Sequence, residues 1–150
     1  SGYTSRRKAE KLILEGRVSV NNEIITELGY KVNDKDEIRV DDILLEKENK
    51  VYFLLNKPRE VVCTTEDDKN RKIITSLIDT DLRIFPVGRL DYDTTGLIIL
   101  TNDGEFANMI TSPKNKIEKV YIAKINGKLL PNEMISLKKG VLVEGRKTEK

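Results

Sequence analysis

Gly88-Arg89-Leu90-Asp91-Tyr92-Asp93-Thr94-Thr95-Gly96-Leu97-Ile98-Ile99-Leu100-Thr101-Asn102-Asp103-Gly104 is the stretch on which the fold turns. Its segment 97–100 is a continuous apolar run, as expected of a strand covered on both faces. Asn102-Asp103-Gly104 closes that strand with turn chemistry. Ahead of it, Gly88 and Gly96 bracket Arg89, Asp91 and Asp93. Asp91 therefore sits on a tight loop held against a rigid sheet. A carboxylate fixed by a scaffold is a candidate nucleophile or base.

Working outward from that loop, residues 51–55 read as a strand, turned by Asn56-Lys57-Pro58 because Pro58 cannot donate to a ladder. Residues 61–64 read as the return strand and 66–71 as a polar loop. Ile73, Ile74, Leu77 and Ile78 have helical spacing. Residues 105–110 read as a short helix, capped by Asn102 or Asp103 and ended before Pro113. Residues 119–125 read as a strand, with Val120 and Ile122 on one face and Tyr121, Ala123 and Ile125 on the other.

Toward the N-terminus, residues 5–16 read as a helix with Ser5 as N-cap and Gly16 as its stop. Ala9, Leu12 and Ile13 mark its core face; Arg7 and Lys11 lie on roughly the opposite face, with Lys8 nearby. Val18 and Val20 alternate as in a strand, Asn21-Asn22 is a turn signal, and Ile24-Ile25 and Ile38/Val40 mark further short strands. Residues 46–50 form a charged linker. The fold expected is α+β, with a small N-terminal domain over 1–48 and a second domain over 51–150.

Composition narrows the chemistry. With 35% charged and 38% apolar residues, the 150-residue chain has a globular balance. Net charge is only +2, but residues 114–150 carry ten basic side chains against four acidic ones, so local basic patches are the electrostatic clue. There is no histidine, which excludes His-based triads, His general bases and His zinc sites. The single cysteine, Cys63, excludes an intrachain disulfide and fits a reducing cytoplasm. It reads as a small core residue. No apolar run approaches the length of a membrane span.

Several residues carry two readings each. The basic helix face is either a solvated surface or a phosphate-binding one. Asp91 is either a reactive carboxylate or half of a structural ion pair with Arg89. Asp91 and Asp93 as an Asp-x-Asp metal site lack a third ligand, and no glycine-rich phosphate loop is present. Tyr121 is either an ordinary strand aromatic or a stacking platform for a base, with Lys119 and Lys124 beside it for phosphates.

Taken together, these motifs resemble one family. The stretch 88–104 resembles the signature of the RsuA/RluB-type ribosomal RNA pseudouridine synthases. Leu55-Asn56-Lys57-Pro58 resembles their first motif, and Ile117-Glu118-Lys119-Val120-Tyr121 their tyrosine motif. Tyr3-Thr4-Ser5-Arg6-Arg7-Lys8-Ala9-Glu10-Lys11-Leu12-Ile13, with Gly16-Arg17-Val18-Ser19-Val20-Asn21, resembles the small RNA-binding domain shared with ribosomal protein S-four.

The resemblance implies a mixed synthase domain with a largely antiparallel sheet, behind an S-four-like RNA-binding domain. It implies isomerisation of uridine to pseudouridine in ribosomal RNA of a bacterial cytoplasm, on the large subunit rather than the small. It implies no metal, no cofactor and no membrane partner. Asp91 is then the catalytic residue; Arg89, Tyr121 and Lys57 are substrate-binding residues. Arg6, Arg7, Lys8, Lys11, Arg17 and Asn21 would hold the RNA. The family's glycines are replaced here by Glu60 and Asn22, and Asn22 still tolerates left-handed geometry. The family's last basic and apolar motif is not found, so a piece of a longer protein, weakly active or inactive alone, is expected. The rival classes are a non-catalytic ribosome-associated RNA-binding module and a metal-assisted phosphodiesterase using Asp91 and Asp93.

Overall fold

The architecture is that of a computed structural model, which describes residues 2–148. The chain is α+β and divides into two compact units, one ending at Ile117 and the other beginning at Glu118.

The first unit opens with helix α1 (Arg6–Leu14), whose N-terminus is capped by the Ser5 hydroxyl accepting from the Lys8 N–H at 3.3 Å. It stops at Gly16, in the left-handed region at φ 69°, where a side chain would add strain. Four short antiparallel strands follow: β1 (Val18–Val20), β2 (Glu23–Ile24), β3 (Ile38–Val40) and β4 (Ile43–Leu44), in the order β2-β1-β3-β4. Asn21-Asn22 and Asp41-Asp42 join the two hairpins with both residues of each pair at positive φ. That is the two-residue turn whose twist matches paired strands, and Asn and Asp tolerate it best after Gly. Ala9, Leu12 and Ile13 of α1 face Val18, Ile38, Val40 and Leu45 across an apolar cavity of about 170 Å³. The small core is thus lightly filled.

A second sheet carries the end of the stretch 88–104. Strands β5 (Tyr52–Lys57), β6 (Phe85–Val87) and β7 (Gly96–Thr101) lie in the order β5-β7-β6, all antiparallel, with β7 central. Ile98 and Leu100 point into the core with Val61, Ile74 and Ile84, against partly buried Phe53, Leu55, Leu77 and Leu90. The expectation that β7 is covered on both faces is corrected. Leu97, on the opposite face, is 70% exposed, and so is its neighbour Leu54 on β5 at 68%.

Residues 61–64 do not form the expected return strand. Val61 is buried, and Val62 makes one isolated parallel bridge to Ile73. Thr64 then turns the chain by donating its hydroxyl to the Glu66 carbonyl at 2.8 Å. Ile74–Leu77 is a short 3-10 turn. Helix α2 (Gly104–Thr111) begins at Asp103, whose carboxylate accepts from the Glu105 and Phe106 N–H groups.

In the second unit, residues 119–125 are not a strand. They lack regular structure, and Ile122 is wholly exposed. Alternation supplies two faces but no ladder partner, and an unpaired strand does not hold. Helix α3 (Pro131–Lys139) follows, with Pro131 at its first turn and Glu133 accepting from the Leu130 N–H at 2.7 Å. Glu144-Gly145, both at positive φ, turn the hairpin of β8 (Leu142–Val143) and β9 (Arg146–Lys147). Among the described residues no helix is long and apolar enough to cross a membrane.

Candidate active site

The loop between β6 and β7 is bracketed by Gly88 (φ 82°) and Gly96 (φ 145°), both in conformations that L side chains rarely adopt. Within it the Thr94 N–H donates to the Asp91 carbonyl at 3.0 Å, closing a four-residue turn. The start of β7 pairs Gly96 with Lys57 at the end of β5, so the first motif lies directly beside the loop.

Lys57 is fully buried. Its ammonium donates to the carbonyls of Pro58 (2.9 Å), Tyr92 (3.2 Å) and Thr94 (2.9 Å). An ammonium has three N–H donors, and all three are spent on backbone. Lys57, expected to bind substrate, thus has its ammonium engaged by the backbone of the two motifs. Its work is to pin the chain on both sides of Asp93. Glu60 adds a further tie, its N–H donating to the Tyr92 carbonyl at 2.9 Å. Glu60 adopts φ 60°, the left-handed region where glycine costs nothing and another residue costs about 1–2 kcal/mol. The shape of the first motif is therefore kept despite the missing glycine. On the other side, the Leu90 N–H donates to Cys63 Sγ at 3.3 Å, and Leu90 itself packs against the core.

Asp91 rises from this fixed backbone as an exposed side chain. Among the described residues it has no ion-pair partner, and neither has exposed Arg89; the structural Asp91–Arg89 pair is not formed. The salt bridge at this loop joins Arg59 to Asp93 at 3.3 Å. Among the described residues no group of three or more metal-ligating side chains gathers here or elsewhere. A cavity of about 490 Å³ lies apart from the loop, lined by Thr65, Glu66, Ser76, Thr80 and Arg83 among others; Asp91 does not border it.

The remaining expected site residues fall into three settings. Arg6, Arg7, Lys8 and Lys11 share helix α1 and are exposed. Arg6 pairs with Glu10 at 3.2 Å, Lys11 with Glu15 at 3.6 Å, and Lys8 with Glu66 at 2.8 Å; Arg7 has no such partner among the described residues. Arg17 is held by Asp41, through Nε at 2.8 Å and a second short contact, and that hydrogen bonding pushes the Asp41 carboxyl below the usual range. Asn21 spends its side chain inside the fold, donating to Asp36 and accepting from the Glu37 N–H, each at 3.0 Å. Asn21, expected to contact RNA, thus also serves the turn, with one amide N–H and one lone pair of its oxygen engaged within the fold. Tyr121 belongs to the second unit and is 63% exposed.

Reading single residues missed Arg59, the cation nearest the loop by pairing. The signal available was its position directly after the Lys57-Pro58 turn. Asp103, expected as one of two cap candidates, is the cap, and it is also buried and bonded by Lys50 (2.9 Å), the Phe106 N–H and the Tyr52 hydroxyl (2.8 Å), which hold its carboxyl down at about 2.

Comparison with known proteins settles the class. Residues 51–149 match the family model described as RNA pseudouridylate synthase, and residues 1–38 match that of the S4 domain. The chain belongs to the RNA pseudouridylate synthase family. It is 51% identical to the ribosomal large subunit pseudouridine synthase B of Bacillus subtilis (strain 168), over 99% of this chain and 61% of that protein. It is 48% identical to an uncharacterized RNA pseudouridine synthase of Aquifex aeolicus (strain VF5), over 96% and 59%. A solved structure described as a pseudouridylate synthase superposes with a TM-score of 0.61 at 35% identity, over 98% of this chain and 64% of that one. The chain thus spans about three fifths of the length of these relatives.

Proposed function

We propose that the protein acts on ribosomal RNA, converting one uridine to pseudouridine, with the large subunit as its substrate. The proposal assigns an RNA-binding domain to residues 1–48 and the first part of the synthase domain to 51–150. It places the protein in the cytoplasm and requires neither metal nor cofactor. The observation that carries it is the Asp91 loop. An exposed carboxylate with no ion-pair partner among the described residues stands on a backbone tied down by Lys57, Glu60 and Cys63. Such over-determination is what a reacting group needs and what a surface ion pair does not.

In the reaction the glycosidic bond to N1 breaks, the uracil turns, and C5 bonds to the ribose. The C5 hydrogen leaves as a proton and N1 gains one, so no other reactant is consumed. Asp91 acts as nucleophile or base. The uridine must leave its stack to reach it, at a cost of a few kcal/mol. Arg89, beside Asp91 in the loop, offsets part of that cost by taking the displaced nucleotide's place, and Tyr121 by stacking on the base. Arg6, Arg7, Lys8, Lys11 and Arg17 hold the backbone phosphates.

The test is nucleoside chromatography of ribosomal RNA from cells carrying or lacking the gene. Loss of one pseudouridine, restored by the wild-type gene and not by the Asp91→Asn variant, is the expected result. Unchanged pseudouridine in both subunit RNAs would leave an RNA-binding module as the better account.

A further inference from the structure

The Arg59–Asp93 pair sits at the mouth of the Asp91 loop. Two facts about it pull apart. Its backbone is rigid: Lys57 binds the Pro58 carbonyl and the Tyr92 and Thr94 carbonyls, and the Glu60 N–H binds the Tyr92 carbonyl. Both strands of chain are therefore already clamped on each side of Arg59 and of Asp93. Its side chains are loose: Arg59 is 69% and Asp93 65% exposed, joined by one contact at 3.3 Å. An exposed pair of this kind contributes little to stability. The loop does not need it for its shape.

An arginine on a fixed backbone, held by a single weak contact, has four of its five N–H donors free. A carboxylate and a phosphate present the same oxygen fork to a guanidinium. We infer that Arg59 is a substrate-binding residue for a backbone phosphate of the RNA next to the target uridine, and that Asp93 holds its place until the RNA arrives. Binding exchanges the Asp93 carboxylate for the phosphate. Asp93 then acts as a competitor that keeps the guanidinium oriented and raises the cost of binding at the wrong place. The inference rests on the proposed function and adds to it a residue that none of the motifs named.

The two sides of the pair give opposite signs, which a purely structural pair does not. In the full-length protein, Arg59→Ala should raise KM for ribosomal RNA about tenfold, the loss of one charge-assisted contact, with kcat nearly kept. The slope of log Kd against log salt should fall by about one phosphate's worth. Asp93→Asn should tighten RNA binding about two- to threefold, the release of a competing exposed carboxylate. Adding Asp93→Asn to Arg59→Ala should change nothing more, because the competitor has lost its target. If Arg59→Ala and Asp93→Asn weaken binding together, or if Arg59→Ala leaves the salt slope unchanged, the inference is overturned. An Asp91→Asn control measured alongside separates the cases. Activity that survives Asp91→Asn refutes the assignment of Asp91, whereas activity that needs Asp91 but ignores Arg59 refutes the phosphate contact alone.

Discussion

At the residue scale, the loop that presents Asp91 owes its shape to a buried cation and not to a carboxylate. The buried Lys57 ammonium donates to three carbonyls, of which only that of Tyr92 has a second donor, the Glu60 N–H, among the described residues. Lys57→Met keeps the volume and removes all three bonds. The expected result is a loss of about 2–4 kcal/mol of stability, since buried acceptors are left unpaired, and a kcat at least tenfold lower with KM little changed. A lysine that touched substrate would instead raise KM and spare stability, so denaturant melts beside steady-state kinetics decide between the two. The sequence showed Asp91 and Lys57 as motif residues but not this division of labour. Nothing in a residue name says that all donors of a lysine are turned inward; only the register Lys57–Gly96 brings it under the loop. Glu60 was legible as a departure, and its left-handed backbone explains how it is borne.

At the element scale, the clear periodicities were read correctly. Helix α1, strands β1, β3, β5 and β7 and helix α2 lie where their apolar spacing and caps place them. What escaped was set by partners and not by local pattern. Strand β6 contains Pro86, which reads as a strand breaker, yet β6 is an edge strand where proline's missing donor costs little. The second hairpin turns at Asp41-Asp42, both at positive φ, with no glycine or asparagine to mark it. Helix α3 spreads Met134, Ile135 and Leu137 without a single apolar stripe.

Helix α2 carries its own test. Lys50, the Phe106 N–H and the Tyr52 hydroxyl hold the Asp103 carboxyl at about 2, below the roughly 3.9 of a free aspartate. A depressed carboxyl contributes stability above its unfolded pKa, and that stability is lost as pH falls toward 2. Asp103→Asn keeps a capping oxygen but removes this contribution. Its thermal midpoint should lie a few degrees lower at neutral pH and converge with the wild type as pH falls from about 4 to 2. Asp67, held at about 2 by Arg71, preserves a residual acid slope. Parallel curves for the two proteins would contradict the account.

At the scale of the whole molecule, charge is organised although its sum is small. Helix α1 shows Arg6, Arg7, Lys8 and Lys11 to solvent, and residues 114–150 are strongly basic. The order of an S4 segment and a synthase segment was legible because each carries its own motif. The break after Ile117 was not, since residues 119–125 alternate like a strand that would have carried the sheet onward. Among the described residues Arg7 is the α1 cation with no ion pair to give up, which makes it the cleanest probe of phosphate binding. Arg7→Ala should weaken binding to all ribosomal RNA fragments alike and lower the salt slope by about one unit. An unchanged slope would place the RNA elsewhere.

The central claim is that Asp91 isomerises uridine, and one measurement addresses it directly. Ribosomal RNA carrying tritium on C5 of uracil is incubated in EDTA with the full-length protein and with its Asp91→Asn variant. Isomerisation frees that hydrogen; binding and strand cleavage do not. The account expects tritium released by the wild type and none by the variant, with RNA binding equal in both. Release by the variant at the wild-type rate, or none by either protein on both subunit RNAs while binding is intact, would contradict it.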